Sequence, residues 1–207
     1  LHYPLRRQRQ MCIRDSNLRE SGESPTESFR FNLRLEAEAP TSAAALYQLG
    51  DRQDRLREQL EPLVQGRLVI PAPNTYEMAN SKSSSGFRAV TTITGTVGRG
   101  NYDTLIQRAG RLPGVRLQGM TSLPSSSGQN RLQDKLLDRA LQRGRRQAER
   151  TAAALKLRRI ALLRIDKRSH SSLRPSPMGV SAAPRFRPEE APLPTGSLSL
   201  ALDYCLS

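Results

Sequence analysis

The residues able to do chemistry are few and scattered. His2 and His170 lie far apart, and no Cys/His cluster has the spacing of a zinc site. Ser125-Ser126-Ser127 has no base nearby in sequence to activate a hydroxyl. Glu189-Glu190 are paired carboxylates, but a proline-rich stretch would not desolvate them enough to raise a pKa. His170 falls in a Ser/Pro-rich segment and reads as a surface residue. Cys205 has no basic neighbour to hold a thiolate and reads as a small, inert side chain. Nothing here assembles a nucleophile with a base, or a ligand set. The expectation is a protein that is not an enzyme, takes no cofactor or metal and offers no small-molecule site.

Charge is the louder signal. Residues 131–168 hold thirteen Arg and Lys against Asp134, Asp138, Glu149 and Asp166, a net +9. Within it Arg131, Lys135, Arg139, Arg143, Arg146 and Arg150 recur at helical spacing and form one stripe. Such a stripe can track phosphates, on nucleic acid or an anionic lipid surface. A merely solvated face in an Arg-rich chain accounts for it as well, because Lys is rare throughout. The stretch also lacks interleaved aromatics on which bases could stack. Gly95-Thr96-Val97-Gly98 fits the GxxG loop that clamps a nucleic-acid backbone between two helices. Here a strand precedes it, so a plain strand-to-helix turn is the better reading.

The formal net charge of the whole chain is +14. Residues 1–16 distort it. Met11-Cys12-Ile13-Arg14-Asp15-Ser16 resembles a translated sequencing adapter, read from ATG TGT ATA AGA GAC AG, and Arg9-Gln10 fits the tail of a second copy. Those sixteen residues carry a net +3, and setting them aside leaves +11. Cys12 goes with them, so the expectation is that Cys205 has no intrachain partner. A gene truncated at its 5′ end is expected, with any signal peptide lost upstream. Hydrophobic residues are 36% and aromatics 4%, without Trp, so a modest core must be built from Leu, Val, Ile and Ala. No window approaches the roughly 18 consecutive apolar residues of a helical membrane span.

The elements that would position these residues follow from periodicity. Residues 17–26 are polar and read as an irregular lead-in. Phe29, Phe31, Leu33, Leu35 and Ala37 alternate with polar residues, as on a strand with one buried face. Pro40 ends it, and Thr41 or Ser42 can cap a helix over 42–61 whose apolar face is Leu46, Leu49, Leu56 and Leu60. Asp51/Arg55 and Arg57/Glu61 would pair on its wet side. A short apolar run at 67–70, a Ser-rich turn at 80–86 and a strand at 87–97 follow. Asn101 can cap a helix over 102–112, which Pro113-Gly114 stops, and Val115 begins another strand. The longest helix, 129–157, has the seam Leu132, Leu136, Ala140, Gly144, Ala148, Ala152 and Leu155. A strand at 159–166, a proline-rich loop at 169–195 and an alternating strand from Gly196 complete the chain. The class is α+β, a mixed or antiparallel sheet packed against two or three helices.

At the long helix the chain resembles a known family. Ala140-Leu141-Gln142-Arg143-Gly144-Arg145-Arg146-Gln147-Ala148-Glu149-Arg150-Thr151-Ala152 is similar to the alanine-every-four helix of SIMPL-domain proteins, with Gly144 in place of one Ala and Gln147 in place of a Lys. Pro113-Gly114-Val115 with Leu117-Gln118-Gly119 resembles the family's Gly-Val strand. Pro177-Met178 and Ala182-Ala183 resemble its Pro-Met and Ala-rich loop. Pro194-Thr195-Gly196 resembles its closing turn. The similarity covers 27–207, one SIMPL-like domain, and is strongest from residue 87. The family's usual opening strand is absent or eroded at Asn17–Thr26, and the Arg load exceeds the family pattern.

The resemblance implies a bacterial protein exported to the periplasm or cell envelope, without catalytic residues, self-assembling into rings, with a stress-related or interaction role. The homo-oligomer is the main expected partner. The Arg load leaves a weak anionic partner, lipid or nucleic acid, open. The competing expectation is a basic nucleic-acid-binding protein of the cytoplasm that uses the helix face 131–150.

Overall fold

The computed structural model describes residues 11–78, 86–170 and 186–207, with side chains over 17–78, 86–168 and 186–207. Among the described residues two antiparallel sheets and three helices make an α+β protein, in two units that each close their own core.

One unit contains β2 (Thr26–Ala39), α1 (Ser42–Leu60), β3 (Asn74–Met78), β4 (Gly86–Gly98), α2 (Tyr102–Arg111) and β5 (Val115–Pro124). Its sheet runs β3-β4-β2-β5. A βαββαβ chain order on an antiparallel sheet is the ferredoxin-like, split βαβ arrangement. The alternation in β2 works as expected: Phe29, Phe31, Leu33, Leu35, Ala37 and Ala39 are buried in one row. In register beside them stand Val97, Ile93 and Ala89 of β4. Ala45, Leu49, Leu56 and Leu60 of α1, and Tyr102, Leu105 and Ala109 of α2, complete this core. The rings of Phe29 and Tyr102 pack 4.3 Å apart at 46°. Each fully buried Leu or Phe contributes about 1.5–3 kcal/mol by leaving water.

Local signals held unevenly in this unit. Thr41 caps α1, its hydroxyl accepting from the Ala44 N–H at 3.2 Å. Leu46 faces solvent and Ala45 takes its place on the buried face. Arg57 pairs with Asp54 at 3.1 Å, one turn back, instead of with Glu61. Asn101 precedes α2 but its side chain makes no cap. The run at 67–70 is no strand; Val69 alone bridges to Thr94, by bonds of 2.8 and 3.0 Å. The extra strand is β3, mostly exposed and without apolar alternation, so only its pairing with β4 reveals it. The Ser-rich turn lies outside the described residues except for Gly86, which opens β4.

The other unit contains β1 (Met11–Glu23), α3 (Ser126–Ala154), β6 (Ile160–His170) and β7 (Thr195–Leu206), with strand order β1-β7-β6. Leu198, Leu200, Leu202, Tyr204 and Leu206 form one buried row, and Leu136, Ala140, Gly144, Ala148 and Ala152 of α3 are buried on the facing seam. Gly144 marks the close approach: a Cβ there would stand 3.0 Å from Leu18 Cδ1 and closer still to Leu202 Cδ1. The helix starts at Ser126, earlier than expected, and ends at Ala154. Lys156 adopts φ 57, a left-handed stop. Leu155 therefore leaves the seam and is exposed.

Several expectations are corrected here. The lead-in at 17–26 is strand as far as Glu23, paired with β7 from Asn17↔Ala201 to Glu23↔Thr195. Its residues are polar except Leu18, which reaches the core, so the strand is imposed by β7 needing a neighbour and not by local pattern. Of the adapter-like segment, residues 1–10 lie outside the described residues, and Met11–Ser16 continue β1 opposite Leu206–Leu202. Cys205 is disulfide-bonded, not unpaired, and Cys12 stands opposite it in the register. His170 closes β6 instead of sitting in a loop.

Candidate anion-binding face

The basic stripe is a real surface of α3. Its seam residues recur every four positions against the sheet, and Arg131, Lys135, Arg139 and Arg143 each precede a seam position by one, about 100° around the helix. Arg146 and Arg150 continue the row. All six are exposed. From Arg131 to Arg150 the row spans about 28 Å at 1.5 Å per residue.

The six charges are not equally free. Arg143 is bonded to Glu20 of β1 at 3.1 Å, so its charge is largely matched. Arg131 turns back on its own helix, with Nε donating to the Ser127 carbonyl at 3.3 Å. Lys135, Arg139, Arg146 and Arg150 have no ion pair among the described residues. Arg145, outside the stripe, pairs with Glu149 at 2.9 Å. No aromatic residue lies in α3. The face can attract phosphates by charge but has no aromatic side chain on which bases could stack.

The other candidates resolve individually. Glu189 meets Arg99 at 2.6 Å, and that hydrogen bond holds its carboxyl below the ordinary glutamate range. The pair fastens the later part of the proline-rich stretch, helped by Asp103, which accepts from the Phe186 N–H at 2.9 Å. Ser125 and Ser127 are engaged in bonds of their own. Gly95 and Gly98 lie within β4, so no helix-to-helix loop exists there. Among the described residues no three His, Cys, Asp or Glu side chains converge to hold a metal ion.

One polar cluster was not legible in the sequence. On the sheet face that α1 and α2 leave uncovered, Glu36 bridges Arg116 at 2.9 Å and Arg34 at 3.4 Å. Arg34 donates to the Tyr76 hydroxyl at 3.3 Å. Arg88 bonds Glu38 at 2.7 Å and lies 6.0 Å from the Tyr76 ring. Bonds to Tyr76 and Glu38 hold the Arg88 guanidinium protonated more firmly than usual. Its members come from four strands and meet only through sheet register, so no spacing rule could find them. Every acid in it is matched by a base, which makes it a sheet-face latch and not an open binding site.

The sequence pattern of the SIMPL family, described as a protein of unknown function (DUF541), matches residues 20–199. Among curated proteins none matches the chain.

Proposed function

The chain belongs to the SIMPL family, and on that footing we propose that it is a non-enzymatic protein of the periplasm or cell envelope that works by self-assembly and contact, in a stress-related role. The observation that carries this reading is the extent of the family match, which takes in elements of both units from within β1 to within β7. Engagement of the candidate groups supports a role without catalysis: Glu189 is tied to Arg99 and Cys205 is disulfide-bonded.

The test is fractionation of cells carrying the gene with its natural upstream sequence, followed by light scattering of the purified protein. Export and a mass of at least two chains are expected. A cytoplasmic monomer overturns the proposal.

A second reading, a basic nucleic-acid-binding protein, is favoured by the four unmatched cations of α3, Lys135, Arg139, Arg146 and Arg150. If it holds, affinity falls with salt at a log–log slope of about −0.9 for each phosphate neutralised on duplex. Changing those four residues to Gln would then remove most binding. The expected result is weak, sequence-blind binding that vanishes near physiological salt.

A further inference from the structure

β6 is an edge of its sheet, with no described strand beyond it. Edge strands are usually blunted by charge, proline or brevity, because their open backbone groups recruit another strand. β6 is eleven residues long; Arg164, Asp166, Lys167 and Arg168 charge its second half, but Leu162, Leu163 and Ile165 leave an exposed apolar stretch at its middle. α3 lies over β7 and β1 and scarcely reaches β6. Leu162 and Ile165, which stand opposite Tyr204 and Leu202 on the helix side of the sheet, are therefore uncovered. Leu162 is 43% exposed, Ile165 48%, and Leu163, at the irregularity between Leu162 and Arg164, 59%. On the other side of the strand Arg164 and Asp166 flank Ile165; Arg164 stands opposite Asp203 in the register, and neither Arg164 nor Asp166 closes an ion pair among the described residues.

This arrangement is self-complementary. In an antiparallel pair, residues directly opposite share a sheet face. A two-fold axis perpendicular to the sheet must then run midway between the two copies of one residue, and charge decides which. An axis through Asp166 sets Asp166 against itself and Arg164 against Arg168. An axis at Lys167 makes an Asp166–Arg168 contact twice but sets two ammonium groups face to face between them. An axis through Ile165 stacks the two Ile165 side chains and makes the Arg164–Asp166 contact twice.

We infer that β6 pairs antiparallel with β6 of a second copy of this chain, around Ile165. The two three-stranded sheets become one of six strands with both α3 helices on the same face, and the exposed Ile165 side chains are covered. The contact rests on the self-assembly reading above and names its surface. Being isologous, it closes on itself, so any assembly larger than a pair uses a further surface.

The test is charge exchange in the full chain, read by light scattering and by energy transfer between labelled copies. Arg164→Glu alone, or Asp166→Lys alone, puts like charges opposite one another twice, and each should weaken pairing roughly ten-fold or more. An equimolar mixture of the two variants should recover it, because both contacts in the mixed pair then join opposite charges. Asp166 stands opposite Ala201 within its own sheet, so its replacement meets no like charge there, whereas Arg164 stands opposite Asp203, so Asp166→Lys is the arm that leaves the sheet's own pairing untouched and the recovery in the mixture is read against it. An independent arm uses Ile165→Cys, which on the axis faces its own copy at about 4.5–5.5 Å between Cα atoms and should crosslink under mild oxidant, while Lys167→Cys should not. Single variants that pair as tightly as wild type, a mixture without recovery, or equal crosslinking at 165 and 167 each overturn the β6 contact while leaving self-assembly standing. A wild-type chain that is monomeric throughout overturns both.

Discussion

Gly144 of α3 and Leu202 of β7 occupy one space: the Leu202 methyl lies where a Cβ on residue 144 would be, with Leu18 Cδ1 3.0 Å from the same point. The small-residue seam sets how close the helix sits to its sheet.

Gly144→Leu should therefore destabilise by about 1–3 kcal/mol through overpacking. Arg139→Ala, exposed on the same helix, should change stability by less than about 0.5 kcal/mol. Paired thermal melts check this, and equal losses would place the helix in a different rotation.

Gly50 of α1 is the opposite case, since nothing lies within 4 Å of a Cβ built there. Gly50→Ala should stabilise by roughly 0.5–1 kcal/mol, because alanine is the better helix former and nothing opposes it. Urea midpoints at unchanged slope would show the gain; a loss would mean that this face of α1 is covered in solution.

Gly114 should tolerate no side chain. Its φ is +74, and a Cβ would collide with the Glu36 carbonyl oxygen and the Arg52 guanidinium. Its own carbonyl accepts from the Glu36 N–H at 2.9 Å, joining the turn before β5 to β2. Gly114→Ala should cost about 1–3 kcal/mol from backbone conformation, with the collision added. Denaturant unfolding measures it, and a loss below that range would show that the turn relaxes.

The Glu189–Arg99 pair gives the clearest pH signature. Arg99 depresses the folded-state pKa of Glu189, so any stabilisation is full above the ordinary glutamate value and lost as pH falls through the folded one. A carboxyl NMR titration should find Glu189 below the ordinary glutamate range, and Arg99→Gln should return it to that range. A Glu189 midpoint unmoved by that substitution would show that the pair does not form in solution.

The unmatched cations of α3 should govern anion binding without governing fold. Replacing Lys135, Arg139, Arg146 and Arg150 by Gln should leave the melting temperature within a few degrees, since all four are exposed. Binding to anionic vesicles at low salt should fall sharply. A large drop in stability would assign those residues a structural role.

Much of the fold was written in period alone. Phe29 to Ala37 alternate, so β2 had one buried face; Ala140, Gly144, Ala148 and Ala152 recur every four residues, so α3 had a close-packing seam; Leu198 to Leu206 alternate, so β7 met it. Each is local, because the side-chain direction of a strand or helix is fixed by its own geometry. The basic stripe was legible for the same reason. What depends on distant partners was not. β1 beyond Asn17, and β3, lack an apolar alternation and form because β7 and β4 offer unfilled edges, which no window of sequence contains. The Glu36–Arg34–Arg116 cluster, the matching of Arg143 by Glu20 and the exposure of Ile165 were decided by register and by how far α3 reaches across its sheet. Pairing fixes which charges are neutralised and which apolar side chains stay uncovered, so the surfaces on which function depends exist only once the sheets have closed.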